Sequence, residues 1–268
     1  MSGLNDIHQF ACSLAEKAGD LIVEMRAARQ LSINFKSGIE LVTNADLAAD
    51  KLISDAIRER FPEHRILAEE SAPDIASIAD TSTPLWIIDP IDGTVNYAHY
   101  HPQVAISIAY AERGKVQVGV VYSPFQAEMF SAIRHQGAWM NDQPLLVSKT
   151  TELHKALVAT GFPYAKQDVL PLLMRRLQGV LQHCADVRRL GSAALDICWV
   201  AMGRLDAYYE TVSPWDCAAA GLIAREAGAQ CGHFLPIAEH MPEELSGENL
   251  LISTPALYAE LQEILQKA

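Results

Sequence analysis

Leu85-Trp86-Ile87-Ile88-Asp89-Pro90-Ile91-Asp92-Gly93-Thr94-Val95-Asn96-Tyr97 is an apolar run that stops abruptly on two acids. Four large hydrophobic residues in succession suit a buried strand that carries Asp89 to its tip. Pro90 restricts the backbone and Gly93 opens a turn closed to most residues, so Asp92 is expected to swing back beside Asp89. Thr94 then starts a helix. Two carboxylates held that close repel unless a cation sits between them. Hard divalent ions such as Mg²⁺ prefer oxygen ligands, commonly one or two carboxylates completed by water and substrate phosphate. The segment therefore points to a metal site used in phosphate chemistry. The plainer alternative is a simple loop, because Asp before Pro and Asp before Gly are ordinary turn formers.

On the N-terminal side, Leu4, Ile7, Ala11, Leu14, Ala18, Leu21, Ile22 and Met25 recur at three- and four-residue steps and predict an amphipathic helix. A second helix is expected from Asp46 to Arg60, ending before Phe61-Pro62, with Asn34-Phe35-Lys36-Ser37-Gly38 as a mobile loop or hairpin between them. On the C-terminal side, Val104–Tyr110 and Val116–Tyr122 flank Glu112-Arg113-Gly114 and predict an antiparallel hairpin that Glu128–Arg134 extends. Beyond it the pattern alternates: strand Leu157–Thr160, helix Asp168–Gln182, helix Ser192–Met202, strand Leu205–Tyr209, helix Trp215–Ala227, strand Leu250–Ser253 and a helix from Pro255. The expected class is α/β (α+β), layered. An antiparallel-rich lobe over residues 1–150 is expected to carry most of the metal ligands. A mixed-sheet lobe over 151–268 would carry Asp216 and the substrate contacts, the two forming one compact unit without a flexible linker.

The 268 residues are half apolar and carry a formal charge of −12, which opposes nonspecific binding to nucleic acid or to an anionic membrane. An acidic protein that handles an anionic substrate meets repulsion from its own carboxylates, so a metal-assisted site is favoured over a bare one. The five cysteines, Cys12, Cys184, Cys198, Cys217 and Cys231, lack CxxC spacing and have mostly apolar neighbours. They read as buried reduced thiols. With no signal-peptide pattern at the N-terminus and no apolar run long enough to span a bilayer, a cytoplasmic location is expected.

Three further acidic features are candidates to converge on Asp89 and Asp92: Glu69-Glu70 after Leu67-Ala68, Asp46 after Thr43-Asn44-Ala45, and Asp216 after Pro214-Trp215. Each has a plainer reading, with Asp46 and Asp216 as helix caps and Glu69-Glu70 as a solvated loop. Taken together, Asp89–Tyr97 and Trp215-Asp216-Cys217-Ala218-Ala219-Ala220-Gly221, continuing to Glu226-Ala227-Gly228, resemble the two signatures of the inositol monophosphatase family. Glu69-Glu70-Ser71 and Leu41–Asp46 resemble its two shorter acidic motifs, in the same order and at similar spacing.

This resemblance implies a Mg²⁺-dependent, lithium-sensitive phosphoric monoester hydrolase of layered α-β-α-β-α architecture. It would act on inositol monophosphate, releasing inositol and phosphate. Glu69, Asp89 and the carbonyl of Ile91 would hold one Mg²⁺, Asp89, Asp92 and Asp216 a second, and a third would sit near Glu69. Thr94 and Asp46, with Glu69, would position and deprotonate the attacking water. Gly93 and Thr94 would offer amides to phosphate, while Asp92, Gly191, Ser192, Ala193, Glu210 and Asp216 would contact the substrate. Lys36 would approach the metals from its loop, and Asp206 is read as structural. Two departures from the family pattern, a shortened Glu210–Asp216 loop and Cys231-Gly232-His233-Phe234, are expected at or near the pocket rim. Histidinol phosphate, fructose bisphosphate and NADP(H) are alternative substrates, and a homodimer is the family expectation. Bacterial relatives also act as non-catalytic partners of the transcription apparatus, which is the competing reading. An intact carboxylate at every ligand position favours the enzyme, since buried acids without a ligand are costly to keep.

Overall fold

A computed structural model describes residues 3–29, 31–36, 40–72, 74–239 and 241–268. The helix predicted near the N-terminus is α1 (Leu4–Ala27), with Ile7, Ala11, Leu14, Ala18 and Ile22 on its buried face. A two-stranded antiparallel hairpin, β1 (Ile33–Lys36) and β2 (Glu40–Thr43), follows. Ser37 and Gly38 of the expected loop lie outside the described residues. The second helix, α2 (Asn44–Arg60), starts two residues earlier than predicted because Thr43 caps it. The Thr43 side chain takes a backbone N–H of the first turn, and the Asp46 carboxylate reaches back to the Thr43 N–H, a reciprocal capping box.

The first sheet has seven strands: β3 (Arg65–Ala68), β4 (Leu85–Asp92), β5 (Ala105–Glu112), β6 (Lys115–Ser123), β7 (Glu128–Ile133), β8 (Ala138–Met140) and β9 (Gln143–Pro144). They are hydrogen-bonded in that order, with β3 parallel to β4 and every other neighbour antiparallel. All eight residues of β4 are buried. Here the structure corrects the sequence reading, because Pro90 does not end the strand in a turn. Asp89 pairs with Ser107 and Asp92 with Ala105, so three steps along β4 oppose two along β5. In a regular strand, residues three apart point to opposite faces. The extra residue of this bulge brings Asp89 and Asp92 to the same side, and Pro90 fits it because it has no ladder N–H to lose. The turn comes afterwards, at Gly93 (φ +94°), which precedes the short helix α3 (Thr94–Ala98).

The second sheet contains β10 (Leu157–Thr160), β11 (Asp186–Arg188), β12 (Ala207–Glu210), β13 (Gln230–His233) and β14 (Leu250–Ser253). Their order is β11-β10-β12-β14-β13, parallel on the first side and antiparallel on the second. The helices are α4 (Leu170–His183), α5 (Ala193–Ala201), α6 (Pro214–Glu226) and α7 (Pro255–Gln266). The short strands β8, β9 and β11 were not legible, since two or three residues are too few for a periodicity, and β13 (Gln230-Cys231-Gly232-His233) carries no apolar run.

Three apolar cores make five layers. One lies between α1, α2 and the first sheet, a second around α5 and α6 between the two sheets, and a third under α4 and α7 outside the second sheet. The α-β-α-β-α order is thus as expected. Packing in the middle layer is tight: a Cβ on Gly119 of β6 would lie 2.5 Å from the Ala219 carbonyl oxygen of α6. All five cysteines are free; Cys184, Cys198 and Cys217 are buried, while Cys12 and Cys231 are partly buried. No helix among the described residues is long and apolar enough to cross a membrane.

Candidate active site

The N-termini of α5 and α6 point toward the bulged end of β4, and the acids meet there. Asp89 is 2% exposed and Asp92 7%. Asp216 occupies the third position of α6, where its carboxylate accepts the Ser213 N–H at 2.7 Å and forms a second capping box. Carboxylate oxygens of Asp89, Asp92 and Asp216 lie within 4.8 Å of one another. Each partner is held from a different element. The Ile91 N–H donates to Asp89 at 3.0 Å. Asp92 accepts the Ser192 hydroxyl at 2.6 Å and the Ala194 N–H at 2.7 Å, which fastens β4 to the start of α5.

Burial, then the neighbouring Glu69, Asp92 and Asp216, push the Asp89 carboxyl well above its usual range. Burial followed by repulsion from Asp92 and Glu69 does the same to Asp216. Asp92 rises only to about 6: burial raises it, while Ser192, the Ala194 and Ala193 amides and Arg189 hold it back. Such a trio is electrostatically uncomfortable at neutral pH unless it shares protons or a cation. Its donor set is entirely oxygen and anionic, which fits a hard divalent ion.

Glu69, just past β3, lines the same cleft, but its carboxylate faces Lys36 at 3.1 Å rather than joining the three aspartates. Burial lifts it to about 7, with Lys36 opposing and Glu70 adding to the rise. The Lys36 ammonium also pairs with Glu70. Burial works against its charge, yet the two glutamates outweigh that and hold it above the usual lysine value. The Ile91 carbonyl, 1% exposed as a residue, accepts the Thr94 hydroxyl at 3.1 Å. The same hydroxyl lies 3.0 Å from Asp46. With one proton to donate, Thr94 shares it between the two acceptors.

Asp46 is 1% exposed and sits behind Thr94, outside the cleft lining. It is therefore both a capping-box acid and the partner of Thr94, so the two readings of this residue are compatible. Gly93 cannot take a side chain: a Cβ would lie 2.8 Å from the Gln103 carbonyl and 3.1 Å from that of Gly191. Gly191 (φ +88°), Ser192 and Ala193 form the opposite wall, and Asn96 ties the two walls together by donating to the Leu190 and Gln103 carbonyls. Glu210 ends β12, accepts the Tyr208 hydroxyl at 2.7 Å and rises to about 7, chiefly through burial.

The cleft holds about 470 Å³, and seven carboxylates but a single guanidinium, Arg189, line it. A phosphate entering without added cations would meet net repulsion. Asp206 lies elsewhere, accepting from Ser148 and the Leu157 N–H, and is structural as read. The Glu210–Asp216 segment lines the cleft as expected. Cys231, Gly232 and His233 do not, because they form β13 at the far edge of the second sheet. Their position corrects the rim expectation for that departure.

Sequence reasoning missed Arg189, although Arg188-Arg189, one residue before Gly191-Ser192, was a signal. It also missed Asp50, which accepts both the Ser71 N–H and hydroxyl and pins the Glu69–Ser71 turn onto α2. Its spacing of four from Asp46 was the clue. Asp196 was not separable from an ordinary helix acid, yet it is buried with Oδ1 unpartnered and lines the cleft.

The inositol monophosphatase family model matches residues 4–267. The chain belongs to the inositol monophosphatase family. Membership places it in a superfamily of generally Mg²⁺-dependent phosphatases, and the aspartate trio is a buried cluster suited to a metal. It is 41% identical over 227 residues to "Nus factor SuhB" of Pasteurella multocida (strain Pm70), covering 84% of each chain. Among solved structures of this family, inositol monophosphatase from Anabaena (Nostoc) sp. PCC 7120 superposes with a TM-score of 0.85 at 33% identity, covering 100% of this chain and 98% of that one. The extragenic suppressor protein suhB from Bartonella henselae superposes with a TM-score of 0.86 at 30% identity, over 98% and 99% of the chains.

Proposed function

We propose that this chain is a Mg²⁺-dependent phosphomonoesterase that hydrolyses inositol monophosphate, or a closely related polyol phosphate, by attack of water. The observation that carries the reading is the Asp89, Asp92 and Asp216 trio set beside a Thr94–Asp46 hydrogen bond at one end of β4. In this reading Asp89, Asp92 and Asp216 would hold one Mg²⁺. Glu69, Asp89 and the Ile91 carbonyl would hold another, and Glu69 would also serve a third. Bound there, the ions would make water a better nucleophile and neutralise charge developing on the ester oxygen.

The chain's own contribution is proton handling and orientation. Thr94 Oγ1 accepts a proton from water as its own passes to Asp46 Oδ1, so Asp46 acts through Thr94 rather than on the substrate. Glu69 helps to position and deprotonate that water. The amides of Gly93 and Thr94 face the phosphate, while Gly191, Ser192, Ala193 and Glu210 face the polyol. We assign Asp92 and Asp216 to substrate contact as well as to metal.

Retention of all the acids and the solved inositol monophosphatase neighbour support the enzyme. The decisive experiment is a phosphate-release screen over inositol monophosphate, histidinol phosphate, fructose bisphosphate, NADP(H) and nucleotide monoesters, with and without Mg²⁺. Inositol monophosphate is expected to react fastest, and silence of the whole panel would reject the reading. Inhibition by Li⁺ at a weakly held metal position is part of the same proposal.

A second reading rests on the relatives named Nus factor SuhB: the chain contacts the transcription apparatus, as sole role or beside hydrolysis. A charge of −12 favours a protein partner in that apparatus over bare nucleic acid. Co-purification of RNA polymerase with both the wild type and Asp92→Asn would support it. We further propose a cytoplasmic homodimer in which the 1–150 and 151–268 lobes act as one unit. The exposed Leu170, Met174 and Leu181 of α4 offer an apolar stripe for pairing.

A further inference from the structure

A second cavity, of about 390 Å³, adjoins the cleft, and Gly161–Pro163 with Glu210 and Thr211 form the partition between them. Its walls are mostly apolar, with Leu172 and Leu173 of α4, and Val169 just before that helix, lining it together with Phe234 and Leu235. One cation, Arg176, lies among them, and the one carboxylate on the lining, Glu210, stands on the partition with the cleft. Arg176 is 8% exposed, and its guanidinium carbon stands 4.6 Å from the centre of the Phe234 ring. It makes no hydrogen bond and no ion pair among the described residues, and its Nε is fully buried without a partner. The Tyr209 hydroxyl, on the same cavity, is also buried without one. In a chain with 33 acidic against 21 basic residues, a largely covered arginine that forms no ion pair among the described residues is unusual.

A buried charge is costly unless it is paired and hydrogen-bonded, and an aromatic face offsets only part of that cost. The planar fork of Arg matches a carboxylate in bidentate fashion. A single cation calls for a monoanion, since a dianion would leave one charge buried and unmatched. The surrounding walls call for a hydrocarbon body.

We propose that this chamber binds a small organic monocarboxylate, with the carboxylate on Arg176 and Tyr209 and its apolar body against Val169, Leu172, Leu173 and Phe234. The site is separate from the cleft and stands whether or not the cleft hydrolyses phosphate. The test is calorimetric titration of the full chain with hexanoate and with 1-hexanol, which share a body but not a charge. Hexanoate should saturate one site, and hexanol should bind at least tenfold more weakly. Arg176→Met should lower hexanoate affinity at least tenfold, Leu173→Trp should abolish binding by filling the chamber, and saturating inorganic phosphate with Mg²⁺ should leave it unchanged. No saturable hexanoate binding, unaltered affinity in Arg176→Met, or displacement by phosphate would overturn the proposal. Should Arg176→Met not fold, hexanoate binding retained in Leu173→Trp would overturn it alone.

Discussion

Asp46 shows how one carboxylate serves two ends: Oδ2 closes the first turn of α2 through Thr43, and Oδ1 takes the hydrogen bond of Thr94. The sequence offered capping and catalysis as rivals, because it does not reveal that the two oxygens face different partners. Removing the Thr94 hydroxyl in Thr94→Ala is expected to slow phosphate release by about 10²–10⁴-fold, the usual worth of positioned proton transfer. A steady-state assay with the far-UV spectrum unchanged checks it. Glu210 supports a pH prediction. Burial holds its proton in the folded state up to about pH 7, while the unfolded chain releases it near 4.5. The folded form therefore binds more protons across that window, and the stability this group contributes is full below 4.5 and lost as pH rises through 7. Thermal unfolding in the presence of a chelator should show the melting temperature falling from pH 5 to pH 8, with Glu210→Gln flattening the fall. An unchanged slope in the variant would show that Glu210 titrates normally.

At the level of elements, β4 was legible as a buried strand from its apolar run, and its acids from their place at the end of it. The bulge was not legible. Asp89 and Asp92 share a side only because Ala105 and Ser107 of β5 set a register that skips one residue of β4. That register is a long-range pairing with no local signal. The capping boxes were half-visible, since Thr43 and Asp46, and Ser213 and Asp216, stand at the required spacing of three. What the spacing lacked was the packing that sends both helix starts toward one cleft. Between β6 and α6 the fit leaves no room for a methyl group at Gly119. Gly119→Ala is expected to cost about 1–3 kcal/mol through overpacking, read as a lower urea midpoint with an unchanged slope. A neutral result would mean that α6 moves outward freely.

Across the whole molecule, five layers bring Asp46, Glu69, Asp89, Asp92 and Asp216 from both halves of the chain to one end of β4, where three of these aspartates meet. A ligand that binds only the folded form stabilises it by about 2.7 kcal/mol at a hundredfold excess over its dissociation constant. Mg²⁺ should therefore raise the melting temperature, a chelator should reverse the rise, and Asp216→Asn should abolish the response while remaining folded. An equal Mg²⁺ response in wild type and Asp216→Asn would place the ion elsewhere. Helix and strand identity, the layered class and the carboxylates themselves were written in local order, because amphipathic period, capping spacing and apolar runs act over a few residues. Which oxygens converge, how Lys36 engages Glu69, that β13 lies away from the cleft, and that Arg176 stands without a carboxylate all depend on contacts between segments far apart in the chain. Such contacts arise only when the sheets and helices pack, since burial and distance are properties of the assembled fold.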